Sequence, residues 1–173
     1  AYYSIFKTEI GILRASHLGS AQDQVRAINS DVPLFIEPFT YDISPPKQDA
    51  THQVARINGF KRIDGLGKLS LHYDFQRNDR LEYDIRRGDD QDKASLDLEL
   101  DTHTLMLDLD SFLNDDLRLK TGLSGSYQNN FADPKTGVRR LIPDYDKYDF
   151  GIYAVADYQY NNNWMFEAGA RFD

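Results

Sequence analysis

Apolar and polar residues alternate with a period of two through most of this chain, the pattern of strands that keep one face away from water. From Trp164, one side carries Trp164, Phe166, Ala168, Ala170 and Phe172, and the other Met165, Glu167, Gly169, Arg171 and Asp173. The same alternation runs through Tyr148–Tyr160, Leu117–Gln128, His103–Asp110 and Lys68–Gln76. Two weaker stretches, Tyr2–Leu13 (Phe6, Thr8, Ile10 and Ile12 on one side) and His52–Ile63, bring the expectation to about seven strands.

The connections come in two sizes that take turns. Short ones fall at Asp64–Gly65, Asn114–Asp115 and Asn161–Asn163, built from the turn formers Gly, Asn and Asp. Long ones run from Ala15 to Thr51, Arg86 to Asp97 and Asn129 to Asp146. In an up-and-down meander this order puts every long loop at one end, as in outer-membrane barrels with short periplasmic turns and long external loops. Tyr158, Tyr160, Trp164 and Phe166 flank the last short turn, where an interfacial aromatic girdle sits. Leu66–Asp84 exceeds the ~9–11 residues needed to cross a bilayer and is expected to project beyond it. A soluble antiparallel sheet with one face on a core gives the same alternation, so alternation alone does not choose between the two.

Composition narrows the partners. A net charge of −8 with scattered Lys and Arg argues against nucleic acid. There is no cysteine, which removes disulfides, thiolate metal sites and Cys nucleophiles. Tyr and Phe, 11 and 10 residues, are abundant, as in strands that present rings at an interface. A mean hydropathy of −0.61 says little about a barrel, in which only alternate residues face lipid. An odd strand number leaves unpaired edges, and the chain starts without an export signal, so it is expected to be a piece of a larger protein.

Several segments, in order along the chain, resemble TonB-dependent outer-membrane receptors of Bacteroidota. They are Glu9–Gly19, Leu66–Gln76, Tyr83–Asp89, Asp101–Leu105, Arg140–Tyr145 and Asn163–Asp173. The resemblance implies a place in the Gram-negative outer membrane and a barrel of about 22 strands. It implies an N-terminal plug energised by TonB, and uptake of a scarce solute such as a ferric siderophore, haem or another metal chelate. Residues 1–173 would be part of that barrel, without the plug or the closing C-terminal strand. Its partners would be outer-membrane lipid, the remaining barrel strands, TonB acting through the plug, and the solute. The alternatives are a passive porin or adhesin barrel, or a soluble β-domain that binds glycan or protein.

Candidate chemistry is sparse. His17 and His52 flank the first long loop and could share a cation at its base, but they lack the close spacing of a zinc motif. His72 follows Ser70 and precedes Asp74 on the polar side, as a lumen-lining residue would. His103 sits on the apolar parity and is expected to cap the outer end of its strand. Asp89, Asp90 and Asp92 lack EF-hand spacing, as do Asp108, Asp110, Asp115 and Asp116. Arg87-Gly88-Asp89 has the wording of an integrin ligand, but three residues arise by chance. Gly122-Leu123-Ser124-Gly125-Ser126 misses the nucleophile elbow, and no phosphate or dinucleotide loop is present, so an enzyme is not expected and no cofactor is implied. Ser20 opens a possible helix over Ala21–Ile28. The candidate ligand contacts are Phe35 and Tyr41 in the first loop, His72 in the lumen, and Arg139, Arg140 and Tyr145 in the third loop. The Arg pair there suits an anionic chelate.

Overall fold

The computed structural model describes residues 1–13, 20–34, 36, 38–85 and 93–173. The expected metal candidate His17, the loop residue Phe35 and the acidic run Asp89–Asp92 lie outside these. The fold is one seven-stranded antiparallel sheet in sequence order. Its strands are β1 (Tyr2–Gly11), β2 (Lys47–Ile63), β3 (Gly67–Tyr83), β4 (Leu96–Phe112), β5 (Leu117–Ala132), β6 (Tyr145–Asn161) and β7 (Trp164–Phe172). The helix expected after Ser20 forms as α1 (Ala21–Ile28), with the Ser20 side chain accepting from the Asp23 N–H.

The short connections are held by the residues that suggested them. Asn114 Oδ1 accepts from the backbone N–H of Asp116 and Leu117 at 3.0 and 2.8 Å. Asn161 Oδ1 does the same for Asn163 and Trp164 at 2.9 and 3.0 Å, so each Asn side chain mimics a backbone turn. Between β2 and β3, Gly65 and Gly67 have φ of 73° and 125°. A Cβ on Gly67 would lie 2.2 Å from the Asp110 carbonyl oxygen, so only glycine lets β4 approach this closely.

The strands are longer than alternation indicates. β2 begins at Lys47 rather than His52 and β4 at Leu96 rather than His103, while β3, Gly67–Tyr83, matches the expected Leu66–Asp84. The added parts lie at the long-loop end; the start of β2 is largely polar on both faces, whereas β4 opens on a second alternation, Leu96, Leu98 and Leu100 against Asp97, Glu99 and Asp101, with its leucines on the opposite parity to Leu105, Leu107 and Leu109. The long connections shorten accordingly, the third to residues 133–144. Pairing is continuous from β1 to β7 except for one register shift between Gln159 and Asn161.

Two features define what this sheet lacks. Leu98 and Ala132 are the buried apolar residues among those described, while Ile57, Phe150 and Phe172 are 60%, 62% and 71% exposed. The apolar face therefore has no cover from the described residues. Counting through the meander, β1 and β7 both run from the short-turn end toward the long-loop end. Each edge needs a neighbour running the other way to continue the antiparallel ladder.

Candidate functional site

Because partners across a ladder share a face, the register sorts every strand residue onto one of two sides. One side holds a row that crosses the sheet as Tyr3, Ala55, Phe75, His103, Tyr127 and Tyr148. Ten residues down β5 from Tyr127, at Leu117, the row on the same side reads Leu117, Tyr158 and Phe166. Tyr160 and Trp164 join that second row, with ring centroids 6.4 and 6.5 Å from Phe166. Ten residues rise ~33 Å along a strand, or ~25 Å of height at the ~40° tilt of barrel strands. Between the two aromatic rows lie Ile57, Leu71, Leu105, Leu107, Leu123, Phe150 and Ile152, and between the rows the only charge on this side among the described residues is Lys61.

Polarity changes abruptly above the upper row. The next rungs on the same side carry Arg77 with Asp101, and then Asp79 with Glu99. Arg77 contacts all three carboxylates, with Asp79 at 3.1 Å and Asp101 at 3.8 Å. The upper rings lean together: Phe75 and His103 centroids are 4.9 Å apart, Tyr127 and Tyr148 5.0 Å. Their polar tips find partners. Tyr73 Oη lies 2.8 Å from His103 Nδ1, and Tyr127 Oη donates to Asp146 Oδ1 at 2.7 Å. His103 thus belongs to an aromatic row seven residues inside β4 and does not cap the strand's outer end. The expectation failed because the leucines that open β4 alternate on the opposite parity to Leu105, Leu107 and Leu109, so the strand seemed to begin at His103.

The opposite side carries most of the charge, with apolar residues such as Phe6, Phe60, Leu98 and Leu100 among it. Arg56 pairs with Asp74. Arg118 grips Asp110 with two nitrogens, Nε at 2.7 Å. Lys120 lies 3.4 Å from Asp157, and Lys147 3.0 Å from Asp149. A polar chain crosses β2, β3, β4 and β6. Asn58 Oδ1 lies 2.9 Å from His72 Nδ1, His72 Nε2 lies 3.5 Å from Asp108, and Tyr153 Oη donates to Asp108 Oδ1 at 2.7 Å. Tyr153 reaches Asp108 by lying across Gly122 of β5, where a Cβ would sit 2.1 Å from its ring. His72 is therefore on the polar side, as expected, and is tied into the wall.

The third loop folds onto this polar side. Asn130, whose side chain faces that way, donates to the Pro143 carbonyl at 3.0 Å. Asp144 accepts from the Ala132 N–H at 2.8 Å, while Arg140 Nη1 donates to the Ala132 carbonyl at 3.1 Å and pairs with Asp144 at 2.8 Å. The Ala132 N–H, together with Arg140, holds the Asp144 carboxyl below its ordinary range. A hollow of 240 Å³ remains under the loop, lined by Glu82, Asp97, Val138, Arg139, Leu141 and Ile142 among others. Sequence reasoning missed this inward fold, because Leu98 and Ala132, which it covers, lie outside the strand segments expected for β4 and β5.

The other candidate contacts do not converge. Tyr145 and His52 share a rung of the polar side, but β2 and β6 are four strand spacings apart, ~19 Å. Tyr145 donates to Gln128 at 3.1 Å. His52 Nδ1 lies 3.3 Å from Asn78 Nδ2, and no metal-binding group of three or more His, Asp or Glu residues forms among the described residues. Arg140 is committed to the loop clamp, whereas Arg139 is exposed and makes no hydrogen bond or ion pair among the described residues. Tyr41 is 90% exposed, its ring edge-on to Phe39 at 5.0 Å. A larger hollow, 610 Å³, lies chiefly on the apolar side among Leu69, Leu107, Leu109, Leu123, Ile152 and Phe172. A surface of that kind suits hydrocarbon rather than an oriented ligand. Comparison with protein-family models, with curated proteins and with solved structures finds no match.

Proposed function

We propose that this chain is part of the wall of an outer-membrane β-barrel, its apolar side in lipid and its charged side lining the interior. The observation that carries this reading is the apolar band closed by an aromatic row at each end. Its height, ~25 Å, is that of the lipid-facing band of outer-membrane barrels, and aromatic girdles bound that band on both sides. The long connections at one end and three tight turns at the other agree with external loops and periplasmic turns. The parallel direction of β1 and β7 argues for further strands of the same barrel as neighbours, because a second copy would meet this one parallel at both seams.

Within this reading the protein is a receptor of the TonB-dependent kind that takes up a scarce solute such as a ferric siderophore, haem or another metal chelate. The chain performs no bond chemistry of its own. The inward third loop and the exposed Arg139 support a mouth that meets solute. A passive porin or adhesin barrel shares the same wall; a parent gene with an upstream plug sequence separates the receptor from it. The first test is an immunoblot of separated outer and inner membranes with an antibody against residues 129–146. A band in the outer membrane, heavier than this 19.9 kDa chain, is the expected result. A band of fragment size in the soluble fraction would mean that the apolar face covers a soluble core, and the transport reading falls.

A further inference from the structure

Cations on the polar side of the strands almost all face carboxylates. Arg56, Arg118, Lys120, Lys147 and Arg171 are paired with Asp74, Asp110, Asp157, Asp149 and Asp173, and Arg80 with Glu82. Arg62 and Lys68 make no ion pair among the described residues. They stand directly opposite one another on the last rung but one of β2 and β3 before the turn. Like charges in that position, with Cβ atoms ~5 Å apart, destabilise a ladder. Arg62 is exposed and has no hydrogen-bond or ion-pair partner among the described residues. Lys68 rests its ammonium over the Phe60 ring, 4.9 Å from its centroid. The carboxylate across from Lys68 on β4 is Asp110, and its two oxygens are taken by the Arg118 fork.

This rung borders a hollow of 570 Å³ walled by Arg62, Lys68, Asp110, Phe112 and the turn Asp64–Leu66. The platform is fixed. Ser111 Oγ donates to the Leu66 carbonyl at 2.5 Å, Leu66 N–H to the Ile63 carbonyl at 3.0 Å, and Gly67 lies against the β4 backbone. Two cations held side by side on a rigid turn, with the nearest carboxylate already neutralised, lower the cost of ordering a bound anion. Asp64, in the turn, is the remaining carboxylate at the rim; its charge repels an anion, so a ligand is held on the side of the two cations, away from the turn.

We propose that Arg62 and Lys68 form an anion subsite at the short-turn end of the polar side, for a small solute carrying carboxylate or phosphate oxygens that bridge the two cations. This deepens the barrel reading, in which the polar side is the interior wall and the subsite lies at its periplasmic end. The test uses the full chain in a zwitterionic detergent, with circular dichroism confirming the sheet in each variant. Calorimetric titration is run with citrate and with pyrophosphate at low ionic strength. Saturable binding of either probe is expected, weakened about tenfold by Arg62→Gln and by Lys68→Gln and unchanged by Arg171→Gln on the far edge. Citrate alone binding assigns the site to carboxylates, pyrophosphate alone to phosphates. Binding of neither, or binding that Arg62→Gln and Lys68→Gln leave intact, overturns the proposal. Membrane fractionation is a separate outcome: an outer-membrane protein without anion binding loses only the subsite, and a soluble protein that binds citrate loses only the barrel.

Discussion

Leu107 and Met106 are neighbours on β4 with nearly the same exposure, 37% and 36%, yet the register puts them on opposite sides of the sheet. Leu107 shares a rung with Leu71, Leu123 and Ile152, and Met106 with His72, Ser124 and Gly151. Leu107 lies four residues below His103 of the upper aromatic row, ~13 Å along the strand and ~10 Å in depth at a ~40° tilt. That is close to the middle of a ~25 Å band. Arginine on the lipid face at mid-depth costs ~2–4 kcal/mol, against ~0–1 near an interface. Leu107→Arg should therefore lower the folding equilibrium in a bilayer about 30- to 700-fold. Met106→Arg should cost no more than ~1 kcal/mol, because its guanidinium enters a polar wall. Tyr148→Arg, in the upper row, should also stay within ~1 kcal/mol. The assay is reversible urea unfolding in lipid vesicles, followed by the fluorescence of the single tryptophan. If Leu107→Arg and Met106→Arg agree within ~0.5 kcal/mol, lipid does not discriminate the two sides and the band is not a membrane band.

Other outcomes test local parts of the fold. Gly122→Ala should destabilise by ~1–3 kcal/mol, since its Cβ would fall 2.1 Å from Tyr153 Cε1 and 2.6 Å from Asp108 Oδ1; unfolding of Gly122→Ala/Tyr153→Ala should cost less than the two single changes summed. The Asp144 carboxyl is held below its usual range by the Ala132 N–H and Arg140. Its clamp on the third loop is therefore intact above the ordinary carboxylate pKa of ~3.9 and is lost only as pH falls through the depressed value. The Ala132 amide proton should hold its chemical shift down to that range and move below it; movement at higher pH would contradict the geometry. Trp164, in the lower aromatic row, should be quenched more strongly by lipids brominated near the headgroup than by those brominated at the chain ends; equal quenching would place it elsewhere.

The strands were legible where one side is apolar and silent where neither is. Leu69–Phe75 and Leu117–Tyr127 alternate because every second residue enters the apolar band. Above the band, Arg77–Arg80 continues β3 with both sides polar, so its sequence carries no period, whereas Leu96–Asp101 of β4 alternates on the opposite parity, its leucines turned to the polar side. The turns were easier, since Asn114 and Asn161 donate no tertiary contact to be guessed: their side chains close the turn from within a few residues. β1 shows the limit of counting parity on a short strand. Phe6, Thr8 and Ile10 fall on the polar side, with Phe6 opposite His52, while Tyr3 extends the upper aromatic row. Only the register with β2 decides this.

The candidate site was less legible than the fold for a related reason. A binding wall in a sheet is assembled across strands, so its members are set by register rather than by spacing along the chain. His72 could be placed on the polar side by alternation, but nothing in its neighbourhood announces Asp108, thirty-six residues on, or Tyr153 beyond it. The two arginines of the third loop look equivalent in sequence, yet Arg140 closes the loop on Asp144 while Arg139 stays exposed. A one-residue difference thus separates a structural cation from one left in solvent. The same logic singles out Arg62 and Lys68. Their charges are unremarkable six residues apart in sequence and become unfavourable neighbours only once the Asp64–Leu66 turn folds them onto one rung, where an anion from outside the sheet is the group that would offset them.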